Sequence, residues 1–204
     1  MTISVHLNDL PPNIDFGSAV AIDTETLGLK PYRDRLCVVQ LSAGDGSAHL
    51  VQFEKGRYDA PNLRELLANP HILKIFHYGR FDIAVLQHYL CVTTRPVYCT
   101  KIAAKLVRTF TERHGLKDLC RELLGVELSK QQQTSDWGQA VLTQEQLNYA
   151  ASDVLHLHAL KDKLDALLKR EGREDLARAC FSFLPTRAEL DLKGWHDETD
   201  VFNH

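Results

Sequence analysis

Ala19-Val20-Ala21-Ile22-Asp23-Thr24-Glu25-Thr26 is the stretch on which the reading of this chain turns. Its first half is apolar and β-branched, and its second half is abruptly polar, the pattern of a buried strand running out at the rim of a sheet. Side chains alternate faces along a strand, so Asp23 and Glu25 share one face and Thr24 takes the other. No Lys or Arg stands within three residues of either acid. Two like charges held so close favour a divalent cation, and hard Mg²⁺ or Mn²⁺ prefers oxygen ligands. Solvated acids just past a strand are the other reading, and this stretch alone does not separate the two.

Outward from it, Leu27-Gly28-Leu29-Lys30-Pro31 breaks the pattern as a loop. Residues 36–41 and 48–52 read as a second and third strand, joined by the turn Ala43-Gly44-Asp45-Gly46. A short helix with Pro61 in its first turn covers residues 61–67. A fourth strand over residues 72–76 ends at His77-Tyr78-Gly79 and passes into a helix over 81–89, and a fifth over 97–100 passes into a helix over 101–109. Further helices are predicted over 115–124, over 144–169 with Thr143 as N-cap and a stop near Gly172, and over 173–183, before a polar tail. A hairpin followed by alternating strands and helices predicts an α/β fold, a mixed five-stranded sheet flanked by helices in a single domain, residues 1–204. The segment 129–138, with three consecutive glutamines and Trp137, predicts a mobile loop.

Composition narrows the function classes. A chain of 204 residues with 44% hydrophobic and 25% charged residues has enough apolar mass for one full core. A net charge of −3 supplies no global cationic field for long nucleic acid, which argues for a short substrate or a local basic patch. Five cysteines (Cys37, Cys91, Cys99, Cys120, Cys180), odd in number and lacking any Cys-x-x-Cys pair, fit reduced thiols in a cytoplasmic protein. Residues 1–10 carry Asp9 and no basic n-region, and no apolar run approaches the roughly 20 residues that span a bilayer, so neither a signal peptide nor a membrane segment is expected.

Two more acids complete the picture. Asp82 opens the helix after the fourth strand, and Asp153 lies within the long helix, one turn after Tyr149 and beside the apolar stripe of Ala150, Val154 and Leu157. Where strands and helices alternate, strand ends and helix starts converge on one rim. Asp23, Glu25, Asp82 and Asp153 gathered there would be unstable without cations. Two divalent ions about 3.5–4 Å apart are the clamp that cleaves phosphodiesters. One would generate the attacking hydroxide and the other would steady the leaving 3′ oxygen. A free tyrosine has a pKa near 10, so Tyr149 is expected to orient the attacking water and to help remove its proton only if its pKa is depressed.

Asp23-x-Glu25-x-x-Gly28-Leu29, His77-Tyr78-Gly79-Arg80-Phe81-Asp82 and Tyr149-Ala150-Ala151-Ser152-Asp153-Val154 together resemble the three motifs of the DEDDy branch of 3′–5′ exonucleases, in that family's order and across residues 19–160. The Tyr four residues before the last Asp marks this branch; the sister DEDDh branch has a His five residues before, where Asn148 stands. The chain is similar to ribonuclease D but lacks room for that family's extra helical nucleic-acid-binding domains. With Lys130-Gln-Gln-Gln-Thr-Ser-Asp-Trp137 and Gly194-Trp195 it most closely resembles the nano-RNase C family. The resemblance implies an RNase H-like fold, two ions of Mg²⁺ or Mn²⁺ on Asp23, Glu25, Asp82 and Asp153, and Tyr149 as the fifth catalytic residue. It further implies very short RNA, dinucleotides in particular, as substrate, and a homo-oligomer, an octameric ring.

Leu29 matches the place where related exonucleases push an apolar wedge between the terminal bases. His77 and Tyr78 are candidates for lining the 3′ nucleotide, Arg80 for touching phosphate and Lys130 for reaching a 5′ phosphate. Thr26 and Gly28 complete the candidate substrate-binding set. Seven cations between Arg95 and Arg121 against two acids form a local basic excess, either a phosphate lure or a solvated face. Rival readings are a ribonuclease D-like trimmer of longer RNA, a DNA exonuclease, and a nucleic-acid-binding protein without catalysis.

Overall fold

A computed structural model describes residues 1–129, 131–196 and 199–203. Its sheet has six strands in the order β1-β4-β3-β2-β5-β6: β1 (Thr2–Leu7), β2 (Ala19–Thr26), β3 (Leu36–Ser42), β4 (Ser47–Gln52), β5 (Leu73–Phe76) and β6 (Val97–Cys99). The five strands expected from the sequence form its body. The sixth, β1, adds itself parallel to β4 at one edge. Its residues are exposed or only half-buried, which is why no apolar run announced it.

β2 is the hinge of the topology. It pairs antiparallel with β3 over Ala21–Thr26 and parallel with β5 only over Ala19–Ala21. Val20, Ala21 and Ile22 are fully buried and anchor it, as are Leu36, Val38, Val39 and Leu41 of β3. Beyond Phe76 the chain leaves the sheet, so the polar end of β2 has no neighbouring strand on that side. A crevice at the carboxyl end of strands, where the sheet changes direction, is the usual ligand site in α/β folds.

The helices are α1 (Pro61–Ala68), α2 (Gly79–Leu90), α3 (Thr100–Val107), α4 (Leu116–Leu119), continued by a π-helical turn over Cys120–Leu124, α5 (Gln144–Leu155), α6 (Leu157–Arg170) and α7 (Glu174–Leu192). The long helix expected over 144–169 is two helices, divided at His156, whose φ of −105° and ψ of −4° lie off the helical ladder. Neither Gly nor Pro marks that break. α7 in turn runs through Pro185, although a proline removes one ladder hydrogen bond. Leu184, Ala188 and their neighbours bury that face, and α7 packs along α2, which holds the helix together past the proline.

α5 lies across β2, β3 and β4, carrying Tyr149 and Asp153 to the end of β2. Its start is fixed by a capping box: Gln146 N donates to Thr143 Oγ1 at 3.3 Å, and Thr143 N donates back to Gln146 Oε1 at 2.9 Å. Gln146 also ties down the loop expected to be mobile, donating from Nε2 to Ser135 Oγ at 3.1 Å and Asp136 O at 3.0 Å. Trp137 in that loop is buried. Thr143→Ala should therefore cost about 1 kcal/mol, read as a fall of about 2–4 °C in the midpoint of thermal unfolding.

Candidate active site

Asp23, Glu25 and Asp153 each offer a carboxylate oxygen within 4.8 Å of the other two. The first two face the same way from β2 by strand alternation, and α5 brings the third from above. Gln40 sits opposite Asp23 in the antiparallel register. Its Nε2 donates to Asp23 Oδ2 at 3.3 Å and lies 3.5 Å from Glu25 Oε1, so one amide steadies both acids. Sequence reading passed over Gln40, although a polar residue inside the otherwise apolar Leu36–Leu41 was a signal.

The fourth acid arrives differently. Asp82 is buried, does not join the 4.8 Å group, and accepts a 2.7 Å hydrogen bond from Thr24 Oγ1. Thr24, the residue turned to the opposite face, thus holds the acid that comes from α2. The four remain close enough to repel one another. Burial, then Asp82, Asp153 and Glu25, push Asp23 well above the usual carboxylate range, and burial, then Asp153 and Asp82, do the same to Glu25. Burial lifts Asp82 and Asp153 to about 7, against hydrogen bonds from Thr24 and Tyr149 that pull them back. Hard oxygen donors crowded this way, with their charges uncompensated, fit divalent cations.

Tyr149 is hydrogen-bonded to Asp153, and burial together with the Asp153, Glu25 and Asp23 carboxylates raises its phenol well above the ordinary value. The depressed pKa that would let it take a proton is not present in this ring of acids. Trp137 packs against it, ring centres 6.1 Å apart.

The candidate substrate residues divide. Leu29 is 87% exposed, on a loop whose turn is closed by Thr26 Oγ1 donating to Gly28 O at 2.5 Å. A side chain at Gly28 would collide with the Asp34 carboxylate. Tyr78 stands half-exposed in the left-handed region at φ +65°, with Lys101 Nζ 4.0 Å from its ring centre. A Cβ at Gly79 would come within 2.7 Å of that of Phe76, so glycine alone fits this turn from β5 into α2. His77 is hydrogen-bonded to Thr100 (Nδ1 to Oγ1, 2.9 Å), and burial, then Lys101, lowers its pKa to about 3. It is neutral at physiological pH and offers no charge to a phosphate.

Arg80, a candidate for touching phosphate, turns its fork to Asp191, with Nε–Oδ2 of 2.6 Å and Nη2–Oδ1 of 2.7 Å. Lys130 lies outside the described residues. Within the basic stretch, Arg108 is buried against Glu122, and Arg121 pairs with Asp118 and Glu122. Its cationic excess is therefore partly cancelled inside the protein.

The family model described as 3′–5′ exonuclease matches residues 2–169. Ribonuclease D of Granulibacter bethesdensis is 36% identical over 154 residues, covering 76% of this chain and 38% of that protein. The chain spans less than half of the ribonuclease D relatives it matches, 38% to 48% of their length. Similarity to solved structures runs further. Brucella melitensis NrnC bound to pGG is 61% identical with a TM-score of 0.95, covering all of this chain and 99% of that one. The same protein with bound Mg²⁺ is 60% identical, TM-score 0.94, over the whole of both chains.

Carboxylates whose folded pKa is raised bind protons in the native state that the unfolded chain has already released. Stability of the metal-free protein must therefore fall as pH rises from about 4 through about 7. Mg²⁺ or Mn²⁺ at about 100 times its Kd should add about 2.7 kcal/mol at pH 8, a rise of about 5–10 °C in Tm, and much less at pH 5. Equal shifts at the two pH values in a thermal-melt titration would disconnect cation binding from these acids.

Proposed function

The chain belongs to the 3′–5′ exonuclease family, and on that premise we propose that it degrades very short RNA, dinucleotides above all, to 5′-mononucleotides. One observation carries the reading. Three carboxylates converge within 4.8 Å at the open end of β2, in a chain 61% identical over its length to a nuclease captured with pGG. The family model supports the 3′–5′ polarity, and the ribonuclease D relatives support RNA as the substrate class.

In this reading Asp23, Glu25 and Asp153 hold one divalent ion, and Asp82, tethered by Thr24, serves a second. When bound, two such ions activate water and stabilise the departing 3′ oxygen of a phosphodiester. Gln40 keeps Asp23 and Glu25 aimed at the crevice. Tyr149, next to Asp153, positions the attacking water by hydrogen bonding. Leu29, projecting from its loop, separates the two bases, and the exposed face of Tyr78 offers one of them a stacking surface.

The same reading takes the protein to be cytoplasmic and homo-oligomeric, an octamer. All five cysteines are free thiols, in keeping with a reducing compartment. Among the described residues no helix is long and apolar enough to cross a membrane. Exposed Phe110, Val141 and Phe202 supply apolar surface for self-association.

Asp23→Ala and Asp153→Ala should abolish turnover of a dinucleotide while leaving circular dichroism and cooperative melting intact; retention of full turnover would remove the assignment. Tyr149→Phe should lower kcat by about 10–100-fold, the size of a lost orienting contact, without changing metal affinity in a calorimetric titration. A length series of 5′-phosphorylated RNAs separates the substrate readings: kcat/KM peaking at the dinucleotide supports the proposal, and values rising with length support trimming of longer RNA.

A further inference from the structure

Tyr78 is a large residue in an uncommon backbone conformation, and two consecutive residues of α3 hold it there. Its φ of +65° and ψ of +35° lie in the left-handed well, which bulky side chains rarely occupy. Thr100 secures the backbone of the turn. Its Oγ1 donates to Phe76 O at 3.2 Å and lies 2.9 Å from His77 Nδ1, which is thereby the donor to it. Lys101, the next residue, reaches the side chain, with Nζ 4.0 Å from the ring centre. Lys101 is half-buried, and among the described residues no carboxylate pairs with it. Burial, then the like charge of Lys105 one turn on, lowers its pKa. A ring face is the partner that such a cation has here. Tyr78 stays 50% exposed and, with Leu29 and Phe81, lines a cavity of about 290 Å³ whose walls do not include Lys101.

Resting on the reading of Tyr78 as a stacking surface for short RNA, we propose that Lys101 is a positioning residue: its ammonium pins the Tyr78 ring, so that the ring's free surface is set for a nucleobase before substrate arrives. The turn from β5 into α2 fixes where the Cα of Tyr78 lies, but not its ring. A half-exposed aromatic side chain still exchanges rotamers on the picosecond-to-nanosecond scale. A cation over one face removes that freedom in the free enzyme. The base then meets an ordered platform, and the cost of ordering it is not charged against binding. Every base has a π-face, so the gain is indifferent to sequence. In this role the charge of Lys101 acts through Tyr78 and not on a phosphate.

The test measures KM and kcat across a salt series for a 5′-phosphorylated RNA dinucleotide and for its two analogues that each lack one base. The proteins compared are the wild type, Lys101→Met, Lys101→Arg, Tyr78→Ala and the double variant Lys101→Met/Tyr78→Ala. Lys101→Met keeps a long side chain without its charge and should raise KM about 3–10-fold, with kcat little changed. Lys101→Arg, still able to lie over the ring, should bring KM back close to the wild-type value. The rise should vanish for the analogue that lacks the stacked base, and in the Tyr78→Ala background, because the cation acts through the ring. An unchanged KM in Lys101→Met overturns the proposal. So does a rise of the same size in the Tyr78→Ala background, or a salt slope flattened by about 0.7, the mark of one lost phosphate contact. If instead the wild type binds both base-lacking analogues as well as the dinucleotide and Tyr78→Ala changes nothing, the stacking role of Tyr78 in the preceding subsection falls, and the role of Lys101 falls with it.

Discussion

Repulsion among Asp23, Glu25, Asp82 and Asp153 is the constraint around which this molecule is built. Left to themselves, such groups would separate or stay protonated. The fold prevents separation by giving each acid a rigid support. Two stand on β2, whose preceding residues are fully buried, one sits in the first turn of α2, and one in α5, whose start is capped on both sides. Neutral donors then hold the carboxylates in place: Gln40 for two of them, Thr24 for the third and Tyr149 for the fourth. None of these partners carries charge, so the cluster keeps its negative potential for a cation.

That arrangement also explains why the acids fall into a set of three and a single one. Strand alternation fixes Asp23 and Glu25 on the face that α5 covers, and Thr24 on the other. Asp82 comes in on the residue that alternation turned away. A single β-strand end thus serves acids from both sides, because β5 leaves the sheet early and the last residues of β2 are open there.

The sequence made legible what rests on short-range pattern. Apolar runs with sharp polar ends revealed β2 to β6, and the three acidic motifs pointed to the acids that the fold gathers because each lies within a short stretch of chain. What was not legible depends on contacts far apart in the chain. Arg80 and Asp191 are separated by 111 positions, and nothing near Arg80 discloses that its fork is taken. Gln40 gains its importance from cross-strand register. The break at His156 and the continuation through Pro185 went unread for the same reason: packing against neighbours overrode local propensity, once by interrupting a good helix and once by carrying a helix past a residue that usually ends it.

The two tryptophans occupy unlike surroundings. Trp137 is buried against the Tyr149 ring, and Trp195, 44% exposed, follows α7 with its carbonyl on Arg187. Burial of the first should shift its emission to the blue of the second. The molecule therefore carries two built-in optical reporters, one beside the acid cluster and one just past the end of α7.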